Sequence, residues 1–129
     1  MAEATGRQTV AIVGASSNRE KFGNKSLRAH QRQGFDVYPV NPRGGEIEGL
    51  KAYASLEEIP VELDRVSMYL PPAVGLAMID EIVAKGCGEL WLNPGSESRE
   101  FIDRATELGL NVIRDCSIVA IRCSPGDFA

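Results

Sequence analysis

Short uninterrupted apolar runs alternate along this chain with longer stretches whose apolar residues return every three or four positions. Val10-Ala11-Ile12-Val13, led by Thr9, predicts a first strand buried on both faces. Residues 24–33 follow with helical character, and Gly34 stops them. Residues 35–40, aromatic and β-branched, predict a second strand closed by Asn41-Pro42. The glycine-rich residues 43–49 predict a loop, and Ser55-Leu56-Glu57-Glu58-Ile59 a short capped helical turn ended by Pro60. A third strand covers residues 65–70. The helix predicted over 73–85 would bury Val74, Ala77, Met78, Ile82 and Val83 and end at Gly86. Residues 89–92 form a fourth strand, broken by Asn93-Pro94-Gly95. Ser96 is placed to cap a helix over 97–108 that turns Phe101, Ile102, Ala105 and Leu108 inward. Residues 111–113 make a fifth strand, followed by an apolar tail over 118–121.

Strands alternating with helices at this spacing imply right-handed βαβ units. The fold class is therefore α/β: a single Rossmann-like, doubly wound parallel five-stranded sheet with helices on both faces. A length of 129 residues suits one domain, with its core at about residues 9–121. No internal repeat or low-complexity segment interrupts it.

Composition removes several function classes. The 43% hydrophobic and 25% charged content suits a soluble globular protein. A net charge of -4 gives no support to nucleic-acid binding. No apolar run nears the roughly 20 residues of a membrane helix. Met1 to Gln8 is polar and lacks the apolar centre of a signal peptide, so a cytoplasmic location is expected. Cys87, Cys116 and Cys123, odd in number and far apart, fit a reducing compartment. His30 is the single histidine and no C-x-x-C occurs, so no metal site is expected.

In open α/β sheets the ligand lies beyond the carboxyl ends of the strands. The first strand breaks there into Gly14-Ala15-Ser16-Ser17-Asn18, a turn that leads into a helix whose free N–H groups suit an anion. This is not the G-x-G-x-x-G fingerprint, because Ser16 and Arg19 occupy the second and third glycine positions. Ser16 and Ser17 could donate to phosphate or cap the helix. Gly23 and Asn24 begin that helix, and Lys21 and Lys25 could pair with phosphates or simply be solvated. At the second strand's end stand Asn41, Pro42 and Arg43, where an NAD site wants Asp or Glu. Arg43 suits a phosphate on a ribose, as in NADP or a 3′-phosphorylated adenosine, or is a plain loop arginine. Leu70-Pro71-Pro72 and Asn93-Pro94-Gly95 either line an apolar groove or start helices.

Catalytic machinery is not apparent. His30 falls in mid-helix, away from the strand ends, and neither G-x-S-x-G nor a P-loop occurs. Cys116 lies close behind the fifth strand and reads as either a redox-sensitive thiol or a buried inert one.

With these residues assembled, the chain resembles the small single-domain CoA-binding proteins of Rossmann type. It is likewise similar to the CoA-binding domain of the succinyl-CoA synthetase α subunit. The likeness runs from about residue 9 to residue 121. It rests on Val13-Gly14-Ala15-Ser16, Val37-Tyr38-Pro39-Val40-Asn41-Pro42, Ser55-Leu56-Glu57-Glu58-Ile59-Pro60, Pro71-Pro72 and Leu90-Trp91-Leu92 in that order. The resemblance implies that residues 14–18 and the helix start near Gly23 hold the CoA pyrophosphate. It places Asn41, Pro42 and Arg43 by the adenosine, and Leu70, Pro71 and Pro72 along the ligand; Val40 also belongs to the expected cofactor-binding set. Asn93 and Pro94 complete the expected lining, although many relatives carry Gln after the fourth strand. Glu20 puts an acidic residue near the phosphate turn. The synthetase's phosphohistidine belongs to another domain, so ligase chemistry does not transfer.

The expected function is non-catalytic binding of coenzyme A or acyl-CoA, with NADP as the runner-up ligand. Two alternatives remain. One is an NADP-using or acyl-transferring enzyme subunit that needs a partner. The other is a protein-interaction module with a vestigial nucleotide pocket. A homodimer or an unknown protein partner is compatible with each reading.

Overall fold

The computed structural model describes residues 7–128; most of the polar start, residues 1–6, and residue 129 lie outside it. Strand β1 (Thr9–Val13) is buried along its whole length. Its side chains alternate between two layers. Val10 and Ile12 pack with Ala15, Leu27 and Val37, while Ala11 and Val13 join Val66, Met68, Leu90 and Leu92. Helix α1 (Phe22–Arg32) buries Leu27, Ala29 and His30. It ends before Gly34, whose positive φ of 87° supplies the usual left-handed stop.

Strand β2 (Asp36–Val40) pairs in parallel with β1. The predicted loop over 43–49 instead holds the first strand and the turn of a hairpin, β3 (Glu46–Ile47) and β4 (Leu50–Lys51). Its tight turn places Glu48 and Gly49 at φ 52° and 79°, the paired positive values of a two-residue hairpin turn. A 3-10 turn, Leu56–Glu58, stands where the short helical turn is predicted. Strand β5 (Arg65–Met68) returns to the other side of β1.

The helix predicted over 73–85 is two helices, α2 (Pro72–Ala77) and α3 (Ile79–Lys85), broken at Met78. The predicted inward face is right at Ile82, which is buried, and at Met78, which packs against the core, and wrong at Val74, Ala77 and Val83. Val74 and Val83 are 45% and 37% exposed, whereas Gly75, Ile79 and Ile82 are buried. The cause is close packing: a Cβ on Gly75 would stand 2.5 Å from the Phe101 ring. An apolar pattern cannot register a contact made by a missing side chain.

Strand β6 (Glu89–Leu92) leads to α4 (Arg99–Glu107). The cap is Ser98, whose hydroxyl accepts from the Phe101 N–H at 3.1 Å. Ser96, the expected cap, donates to the Asn93 carbonyl at 2.7 Å. Strand β7 (Val112–Ile113), the one-turn helix α5 (Ser117–Ala120) and a 3-10 turn, Pro125–Phe128, complete the described chain.

The sheet order is β2-β1-β5-β6-β7 and every pairing is parallel. Counting its five strands alone, this is the 2-1-3-4-5 arrangement, which reverses direction between the first and third. Helices α2, α3 and α4 supply Leu76, Ile79, Ile82, Phe101 and Ala105 to one layer. Helices α1 and α5 with the last 3-10 turn close the other, through Ala29, Ile118, Ile121 and Phe128. The fold is Rossmann-like α/β, with its reversal point at the carboxyl ends of β1 and β5.

Candidate functional site

The chain reverses out of β1 at Gly14, whose φ of 93° a side chain would strain. A Cβ there would also press within 3.2 Å of Leu70 and the Tyr69 backbone. Gly14 thus lets the chain leave the sheet against the end of β5, where a cleft of about 590 Å³ opens.

Internal bonds hold the turn. The Gly14 and Ala15 N–H groups both donate to the Val40 carbonyl at 3.3 Å. The Asn41 side-chain amide donates to the Ala15 carbonyl at 2.9 Å, and the Asn24 amide to the Ser16 carbonyl at 2.8 Å. The Ser16 hydroxyl accepts from the Asn18 N–H at 3.0 Å, which leaves its own proton available. Neither Ser16 nor Ser17 caps α1: the capping position is Lys21, with no side-chain bond. Helix α1 abuts the turn at Gly23, where any Cβ would fall on the Gly14 carbonyl oxygen. Gly23 therefore does the close-packing work of the fingerprint's third glycine, four residues later than Arg19.

The cleft brings together Gly14, Ala15, Ser16, Lys21 and Gly23 from one side. The end of β2 adds Asn41 and Pro42, and the ends of β5 and β6 add Leu70, Pro71 and Pro94. A second recess of about 470 Å³ shares Ser16, Lys21, Asn41 and Pro42 and adds Ser17 and Arg43. Other predicted residues sit elsewhere. Asn18 is exposed on the turn, outside both linings, and Pro72 starts α2. Val40, Asn24 and Asn93 are 4%, 0% and 1% exposed.

Asn93 is saturated by protein. Its amide donates to the Ser67 hydroxyl and the Met68 carbonyl, and its oxygen accepts from the Ser117 N–H and hydroxyl. The Ser117 oxygen also lies 2.8 Å from that of Ser67 and 3.0 Å from that of Tyr69. This network fixes Tyr69, which lines the cleft. Burial pushes the Tyr69 hydroxyl above its ordinary pKa, with the Ser117 bond opposing. Tyr69 and Phe22 are lining residues that sequence reasoning missed. Phe22 had a signal in its place beside Gly23; Tyr69 was hidden inside the predicted strand.

The site has a mixed electrostatic character. Among the described residues, neither Lys21 nor Arg43 is committed to an ion pair. Arg19 pairs with Glu48 at 3.3 Å, and Glu48 also accepts from Asn24 at 3.1 Å. His30 is fully buried in α1 and lines neither recess. Loss of solvent holds its imidazole down to about 4. Its Nδ1 bonds the Ser26 carbonyl at 2.8 Å. Cys116 is half-buried and lines neither recess. Among the described residues no group of three or more His, Cys, Asp or Glu side chains is arranged to hold a metal. No described helix is long and apolar enough to cross a membrane. Backbone donors, two available cations and an apolar wall suit an extended anionic ligand with an apolar arm.

Comparison with known proteins identifies the family. Residues 8–122 match the CoA binding domain family. The α subunit of ADP-forming acetate–CoA ligase II from Pyrococcus furiosus is 31% identical over 115 residues, covering 81% of this chain and 25% of that subunit. The chain thus spans about a quarter of the length of that curated relative. The uncharacterized protein YneT of Bacillus subtilis is 28% identical over 109 residues, covering 84% of this chain and 81% of its own. A conserved hypothetical protein of Pyrococcus furiosus superposes with a TM-score of 0.79 at 39% identity, covering 88% of this chain and 98% of that one. The NADP alternative raised by Arg43 gains no support from these relatives. The chain belongs to the CoA binding domain family.

Proposed function

We propose that this chain binds coenzyme A or an acyl-CoA and does not itself catalyse a reaction. The observation that carries this reading is the cleft at the β1–β5 reversal, where an anion-accepting turn faces an apolar wall. The diphosphate sits on the turn and the start of α1, where the first N–H groups of a helix have no intrahelical partner. Arg43 reads the 3′-phosphate in the adjoining recess. Pro42 takes the adenosine side, and Leu70, Pro71 and Pro94 take the pantetheine arm. Ligation of an acyl group, the activity in the printed name of the ligase relative, would then require protein beyond the part it shares with this chain.

Calorimetric titration of nucleotide-free protein with CoA, dephospho-CoA and NADP tests the reading. CoA should bind, dephospho-CoA should bind at least about tenfold more weakly, and NADP should give no saturable heat. Arg43→Ala should bring CoA down to the dephospho-CoA affinity and leave dephospho-CoA unchanged. Silence toward millimolar CoA overturns the proposal.

A further inference from the structure

We infer that Asn24 and Asn41, both expected from sequence to touch the ligand, are instead positioning residues that aim two successive backbone N–H groups at its diphosphate. The inference rests on the proposed CoA reading and deepens it. No peptide bond among the described residues is cis, so the C=O and N–H of each peptide point in opposite directions. Asn41, at the end of β2, holds the Ala15 carbonyl at 2.9 Å. The Ser16 N–H of that peptide must then point away from β2, toward the β5 side where the main cleft opens. Asn24, inside α1, holds the next carbonyl, that of Ser16, at 2.8 Å. The Ser17 N–H is turned away from the helix body, toward the recess that Ser17 lines.

The neighbouring bonds make this selective. The Gly14, Ala15 and Asn18 N–H groups are all spent inside the protein. Ser16 and Ser17 are the two turn residues whose N–H has no partner among the described residues. Each is the partner amide of a carbonyl seized by an asparagine. The asparagines are themselves held. Asn24 accepts from the Arg28 guanidinium at 2.7 Å and shares its amide with Glu48, while Asn41 accepts from the Arg43 N–H at 2.9 Å. Arg28 in turn donates to the Arg19 and Phe128 carbonyls. The amide pair is thus set before any ligand arrives, which is what gives a fixed donor its advantage over a mobile lysine.

The test uses nitrogen-15-labelled protein, wild type against Asn41→Ala and Asn24→Leu. ADP is titrated as a diphosphate without the 3′-phosphate, and CoA alongside it. In the wild type, the Ser16 and Ser17 amide protons should both move downfield on saturation. Asn41→Ala should abolish the Ser16 response and keep that of Ser17, and Asn24→Leu should do the reverse. Each variant should weaken ADP and CoA alike by about tenfold or more, the loss of one charge-assisted bond. General loosening of the fold would not exchange the two signals in this way. Wild-type-like responses at both amides in either variant overturn the inference. Residual dipolar couplings of the ligand-free proteins supply a test independent of affinity. The Ser16 N–H vector must reorient in Asn41→Ala and the Ser17 vector in Asn24→Leu, and unchanged vectors overturn the inference. If wild-type protein binds neither ADP nor CoA, the CoA reading fails while the couplings still decide whether the asparagines set the amides.

Discussion

Two glycines govern the site through opposite kinds of constraint. Gly14 is needed for a backbone angle, Gly23 for an approach between backbones that leaves no space for a methyl group. The second is the more severe, because the atom it would strike is a main-chain carbonyl and not the far end of a flexible side chain. Gly23→Ala should therefore cost about 1–3 kcal/mol in urea unfolding, as overpacking does. It should also weaken CoA binding by prising α1 from the turn. An alanine variant with wild-type stability and affinity would mean that the turn is free to move. Both glycines were visible in the sequence as candidate site residues; what was not visible was the division of labour. Asn24, Asn41 and Asn93 read as ligand donors because a polar residue at a strand or helix end looks available. Each is engaged with protein groups far away in sequence, and sequence position alone carries no sign of that.

Among the elements, those with a long or unbroken pattern were the legible ones. Strands β1, β2, β5 and β6 stand close to where apolar, aromatic and β-branched residues placed them, β1 most plainly because burial on both faces leaves an unbroken apolar run. The β3–β4 hairpin was missed because two-residue strands have no periodicity to read. Helix α4 was found with its start assigned to the wrong serine. Two serines two residues apart carry the same local signal, and only the turn taken by Asn93-Pro94-Gly95 decides between them. Ser98→Ala should lower stability by about 1 kcal/mol with an unchanged denaturant slope, the usual cost of a lost cap. No effect on the urea midpoint would contradict Ser98 as the cap. Helices α2 and α3 were merged for a related reason: their packing turns on Gly75 against Phe101, a contact with no hydrophobic residue on one side.

For the molecule as a whole, stability carries a pH dependence set in the layer opposite α4. His30 is kept neutral when folded, its pKa drawn to about 4 by burial, with Arg65 adding repulsion and the Ser26 carbonyl opposing. Its Nε2 has no hydrogen-bond partner among the described residues. Unfolded, it takes up a proton near its ordinary value of 6.5. The unfolded state therefore binds more protons between these values, and the preference for the folded state is complete above about pH 6.5 and lost as pH falls toward 4. The loss from this residue amounts to as much as about 3 kcal/mol. Urea unfolding between pH 7 and pH 5 should show a downward slope that His30→Gln reduces. An identical slope in the variant would remove His30 as its source.

The strand order also has a consequence for synthesis. Of the five strands of the sheet β1 is the first in chain order, yet it lies in the interior of the sheet, and its partner β5 begins at Arg65. At roughly 5–20 residues per second a ribosome needs some seconds to deliver that partner. Throughout that interval Val10-Ala11-Ile12-Val13, an unbroken apolar run, keeps at least one edge unpaired. Nascent chains stalled before residue 65 should thus be the aggregation-prone species, and binding of a chaperone should be strongest there.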